Sequence, residues 1–191
     1  MTSDALPEQT TGALDAVLRR AGAVFGQRHG RRVVVSYGSS AGELAACVRA
    51  TGIADASELI KLELTGRSGS LRELVRHATG SVPAPGGCLR VGGAWWCSAD
   101  AERMIVLGES RLGARLDEHL STRAARLPRC QVRDRTGDWA AISVLGLATP
   151  RVLASLGVFG PAHDPRAAKP FTSCPLAGTE ALWLLESAHG P

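Results

Sequence analysis

The chain carries one strand–glycine–helix unit twice, and that duplication limits what it can fold into. Asp55 and Ser57 precede Leu59-Ile60-Lys61-Leu62-Glu63-Leu64, Gly66 closes the run, and Leu71, Leu74 and Val75 recur at helical spacing. About 80 residues later Asp134 and Thr136 precede Trp139 to Leu145, Gly146 closes the run, and Val152, Leu153 and Leu156 come next. Such a unit cannot bury its apolar face alone, so the two copies are expected to pack together. Short strands mixed with helices and hairpins predict an α+β fold rather than a doubly wound parallel sheet.

Other signals fill the intervals. Leu14, Val17, Leu18 and Ala21 predict a helix closed by Gly26, and Val33-Val34-Val35 a short strand. Leu44, Ala45 and Val48 predict a second helix ending at Gly52. Pro83 to Gly87 reads as a loop, and Cys88 to Cys97 as a hairpin turning at Gly92-Gly93. Met104 to Leu107 predicts a strand. Leu112, Leu116 and Leu120 predict a helix that Pro128 stops. A polar connector over Pro161 to Pro170 precedes a closing buried strand, Ala181 to Leu185. In the strand around Leu62 the charges of Lys61 and Glu63 alternate with apolar residues, which predicts a strand buried on one side only.

Charge and cysteine usage exclude several functions. With 191 residues, 45% apolar and 21% charged, the chain has enough apolar surface for a core. The net charge of +4 is mild and scattered, so a nucleic-acid partner is not expected. One basic knot, Arg28 to Arg32, reads as a solvated loop before a strand. The first residues hold Asp4 and Glu8 and no apolar run, so no secretory leader is expected. No stretch approaches the roughly 20 apolar residues of a membrane span. The five cysteines are widely spaced with no C-x-x-C, so neither a zinc site nor a redox motif is expected. They read as reduced core thiols in a cytoplasmic protein.

Chemistry-bearing motifs are few. Gly38-Ser39-Ser40-Ala41-Gly42 matches G-x-S-x-G between a strand and a helix, which would make Ser40 a hydrolase nucleophile. The reading favoured is a turn permitted by glycine with a serine capping the helix. Trp95-Trp96 stands out because aromatics are only 4% of the chain. In a strand one indole enters the core while the other faces out, ready to stack on a planar ligand or anchor a partner. No carboxylate pair or histidine is placed for acid–base work, so no catalytic residue is assigned.

Specific strings then point to a family. Tyr37-Gly38-Ser39, Gly42-Glu43, Arg49 and Gly52-Ile53-Ala54-Asp55-Ala56-Ser57 resemble the opening of the glycine-cleavage T-protein (aminomethyltransferase) family. Asp134-Arg135-Thr136-Gly137-Asp138-Trp139-Ala140-Ala141-Ile142, with Gly146 and Val152-Leu153, resembles the second half of the same module. Chains near this length are similar to the gamma subunit of heterotetrameric sarcosine oxidase. The resemblance implies two ferredoxin-like halves, about 53–127 and 128–191, in a folate-binding-type module over 31–191 preceded by a helical extension over 1–30. It implies tetrahydrofolate as a ligand, with Trp95, Trp96, Arg90 and Tyr37 as the folate or interface residues. FAD, FMN and NAD would belong to large flavin-containing partner subunits of a hetero-oligomer. Where T-proteins hold carboxylates after the glycine pair, this chain has Trp95-Trp96, and Leu147 stands for the usual proline. The implied role is therefore a non-catalytic subunit, the alternatives being a free-standing folate-binding or methyl-transfer protein and, more distantly, the Ser40 hydrolase.

Overall fold

The structure is a computed structural model that describes residues 14–157, 170–176 and 178–185. Its centre is a five-stranded antiparallel sheet of β4 (Ile60–Gly66), β5 (Cys88–Val91), β6 (Ala94–Ser98), β7 (Arg103–Gly108) and β8 (Cys130–Asp134). The spatial order is β5-β6-β7-β4-β8. Helix α3 (Ser68–Thr79) comes after β4, and α4 (Gly113–Ala124) joins β7 to β8. Leaving the edge strand β5 aside, the path β4-α3-β6-β7-α4-β8 is the β-α-β-β-α-β connectivity of a ferredoxin-like unit. The described residues show this connectivity once.

Alternation decides which sheet face is which. Leu62 and Leu64 of β4, Trp96 of β6 and Met104 and Val106 of β7 point to the helix side. There they meet Leu71, Leu74 and Val75 of α3, spaced to share one stripe, and Leu120 and Ala124 of α4. Leu64, Leu74, Val75, Val106 and Leu120 are 0% exposed, so this is the main core. Helix α3 stops at Gly80, whose φ of 76° is the left-handed cap that glycine adopts without strain. On the opposite face, Cys97 and Ile105 pack beneath Phe171, Leu182 and Leu184 of a hairpin made by β10 (Phe171–Leu176) and β11 (Thr179–Leu184).

A second layer is built from small pieces. Helix α1 (Asp15–Arg20) is followed by a hairpin of β1 (Val24–Arg28) and β2 (Arg31–Ser36), then α2 (Ser40–Arg49). Among the described residues strand β3 (Gly52–Asp55) pairs only with β9 (Ile142–Leu145), which leads into α5 (Thr149–Ser155). One expectation is corrected here, and the basic knot keeps its place before a strand. Gly26 does not end a helix; it lies inside β1, close against the Val35 side chain. The basic knot is the tip of the β1–β2 hairpin, with His29 and Gly30 at positive φ and Arg28 opposite Arg31. The predicted connector lies outside the described residues except for Pro170.

Candidate functional site

The face of the sheet opposite the helices carries the charge. Glu63 sits in β4 opposite Ile105, on that face, and its side chain is only 9% exposed. Arg103 Nε donates to Glu63 Oε1 at 2.8 Å, and Arg135 Nε donates to Oε2 at 2.9 Å. Arg103 also reaches Glu180 Oε1 of β11 at 2.8 Å, tying the C-terminal hairpin to the sheet. Arg135 reaches Asp138 at 3.2 Å. Both guanidinium groups also lie near the Trp139 ring, 6.0 Å and 5.8 Å from its centroid. Its hydrogen bond from Arg103 holds the Glu180 carboxyl below the usual carboxylate range. Both oxygens of Glu63 are occupied by fixed charged donors. That suits a charge lattice.

Lys61 lies two residues earlier on the same face and is 1% exposed. Its Nζ donates to the carbonyls of Ser57 and Leu59 at 2.8 and 2.9 Å and to that of Thr136 at 3.4 Å. Burial, aided by the Arg31 charge, lowers its pKa to about 8, against the pull of Asp55, Asp134 and Glu58. The repeated Asp-x-Ser/Thr pattern explains where those carbonyls come from. Asp55 Oδ1 accepts the Ser57 N–H at 3.1 Å, and Asp134 Oδ1 accepts the Thr136 N–H at 2.7 Å. The two matching turns meet across the chain, because Thr136 Oγ1 accepts the Lys61 N–H at 3.0 Å.

The four residues predicted as a site do not converge. Trp96 belongs to the helix-side core at 3% exposure, and its indole N–H donates to Val91 O at 3.4 Å. Trp95 faces the other side, half-buried against the second cluster, with the Arg90 guanidinium 5.4 Å from its ring centroid. Tyr37 is on another element, the turn from β2 to α2, where its N–H donates to Glu43 Oε1 at 2.7 Å. Burial, with Asp55 and Glu43 nearby, raises its phenol pKa. The serine motif is a helix cap: Ser39 Oγ accepts the Gly42 N–H at 3.1 Å, while Ser40 is exposed at the start of α2. The strand before it pairs antiparallel with β1 alone, so the parallel sheet of a nucleophile elbow is absent among the described residues.

Sequence reasoning missed Glu63, Lys61, Arg103, Arg135 and Glu180. Lys61 and Glu63 read as the solvated side of a half-buried strand, whereas β4 is central and both are buried. The signal was present as opposite charges at strand spacing, but the partner of Glu63 in β7 lies 40 residues away.

No family model matches the sequence, and no curated protein matches it. The fold defines the class: the chain has the α+β fold of the glycine-cleavage aminomethyltransferase and sarcosine oxidase structures. Aminomethyltransferase T from Bartonella henselae superposes with a TM-score of 0.64 at 18% identity, over 78% of this chain and 44% of that one. The chain thus spans less than half the length of that enzyme. A chain of the heterotetrameric sarcosine oxidase of Corynebacterium sp. U-96, in complex with pyrrole 2-carboxylate, superposes with a TM-score of 0.57 at 22% identity. That match covers 76% of each chain, so the two are of about equal length.

Proposed function

We propose that the chain is a small, non-catalytic subunit of a cytoplasmic, heteromeric assembly of sarcosine oxidase type that demethylates an N-methyl amine. One observation carries the reading. Ten large hydrophobic side chains are exposed among the described residues, and none lies between residues 60 and 134. They belong to the second layer: Leu44 at 66% and Val48 at 59% on α2, Ile53 at 65% on β3, Leu145 on β9 and Leu147 at 83% beyond it, with others on its remaining elements. Helix α2 buries none of its residues, although Leu44 and Val48 stand one turn apart on one side. Exposed apolar residues gathered in one layer suit a surface covered by another chain. The match over 76% of a chain of a heterotetrameric enzyme supports the same role.

Large flavin-containing subunits would supply the redox chemistry of the assembly. The candidate folate residues of this chain lie apart, with Trp96 buried, Arg90 over Trp95 and Tyr37 on another element, which favours a folate site on the partner. The larger subunit would hold the folate. Purifying the tagged chain from its native cells should recover a flavoprotein in fixed ratio, with amine-dependent oxygen uptake in the complex and none in the chain alone. Recovery of the chain without a flavoprotein, or micromolar tetrahydrofolate binding to it by calorimetry, would overturn the proposal.

A further inference from the structure

Cys88 and Cys97 were expected as unrelated core thiols, yet the structure sets them face to face. The hairpin turns on Gly92 and Gly93, with φ of 63° and 80°, the two positive values of a type I′ turn. With Val91 opposite Ala94 next to that turn, alternation makes Arg90–Trp95 and then Cys88–Cys97 the non-hydrogen-bonded pairs. The hydrogen bond from Ser98 N–H to Gly87 O, at 3.0 Å, closes the ladder beyond them. In such a pair the Cα atoms lie about 4.5 Å apart, inside the roughly 4.4–6.8 Å that a disulfide spans. The thiols already touch, in an S–H···S contact of 3.2 Å.

The two sulfurs differ in environment. Cys97 is 0% exposed beneath Phe171 and beside Ile105, while Cys88 is half-buried on the edge strand of the sheet. We propose that Cys88 and Cys97 form a reversible dithiol–disulfide site oxidised by hydrogen peroxide, with Cys88 attacking and Cys97 resolving. The Cys88 thiolate attacks one peroxide oxygen, the O–O bond breaks, and hydroxide leaves a sulfenic acid on Cys88. The Cys97 sulfur then attacks that sulfur, the S–O bond breaks, and water departs with the Cys97 proton. The sum is two thiols and one peroxide giving one disulfide and two waters. The contact with Cys97 lowers the Cys88 pKa, while the same contact and burial raise that of Cys97, which matches this order of attack. The bond ties the edge strand β5 to β6 beside the C-terminal hairpin. It stands apart from the proposed subunit role, since it needs no partner.

The test uses the full chain, folded and without partner. It is treated with stoichiometric hydrogen peroxide, alkylated, and mapped by mass spectrometry. Two of its five thiols should vanish as one link between the Cys88 and Cys97 peptides, two hydrogens lighter and restored by dithiothreitol. Cys97→Ser should leave a Cys88 sulfenic acid that dimedone traps. If that variant does not fold, Cys88→Ser changes the half-buried member instead and should leave Cys97 unreactive. The proposal is overturned if both thiols stay fully alkylated, if Cys88 runs to sulfinic acid in the unaltered chain, or if Cys97 oxidises in Cys88→Ser.

Discussion

The five-stranded unit and the layer of small elements beside it are folded by the same chain but finished to different degrees. Residues 60–134 form a sheet with one face closed by two helices and much of the other closed by the β10–β11 hairpin and a charge lattice. Helix α2, the β3–β9 pair and α5 bury little, keeping Leu44, Ile53, Leu147 and Leu156 more than half exposed. The sheet gains its stability from its own burial. The layer leaves apolar side chains in water, the surface that the proposed partner would cover. The difference teaches where to look for function: toward the unfinished side of the molecule.

Substitutions should separate the two regions, the largest effects falling in the sheet. Leu64→Ala empties a fully buried site between β4 and the helices and should cost about 3–4 kcal/mol by urea unfolding. Glu63→Gln leaves Arg103 and Arg135 without their shared counter-charge and should lower the Tm by about 5 °C in calorimetry. At the seam, Gly146→Ala places a Cβ 2.5 Å from the carbonyls of Cys47 and Ala50 at a φ of 124°. It should cost about 1–2 kcal/mol and loosen the β9–α2 junction first, which hydrogen exchange resolves.

Lys61 gives the comparison a pH signature. Its folded pKa of about 8 lies below the ordinary 10.5, so above pH 8 the unfolded chain binds the proton that the folded chain has released. Stability therefore rises with pH through that window, by about 1–2 kcal/mol between pH 8 and 10 after screening is allowed for. Lys61→Met should abolish the slope. The smallest effect belongs to the second layer: Leu44→Ser with Ile53→Ser should move the free chain's stability by no more than about 0.5 kcal/mol while abolishing recovery of the large subunit.

Much of the sheet was legible because its signals are local. The Leu71-Leu74-Val75 stripe, the Gly92-Gly93 turn and the alternation of β4 each specify an element within a dozen residues. The paired Asp-x-Ser and Asp-x-Thr turns were legible as a repeat, and both form. The strands after the two turns fare differently: β4 pairs on both sides within the sheet, whereas among the described residues β9 has only β3. Nothing in the residues of the second copy records that outcome, because pairing is decided by distant strands. The charge lattice was illegible for a related reason, since burial of Glu63 depends on Arg103, Arg135 and Glu180 arriving from three separate elements. The indole pair alternates across its strand as expected, but its outer ring meets Arg90 rather than open solvent.

Hydrogen exchange on the chain alone and within its purified native assembly tests the central claim most directly. Slowed exchange confined to α2, β3 and β9, with β4, β6 and β7 unchanged, is the result expected of a layer that a partner finishes. Equal exchange in both samples across α2 and the β3–β9 pair would show that its apolar side chains stay in water, and would contradict the account.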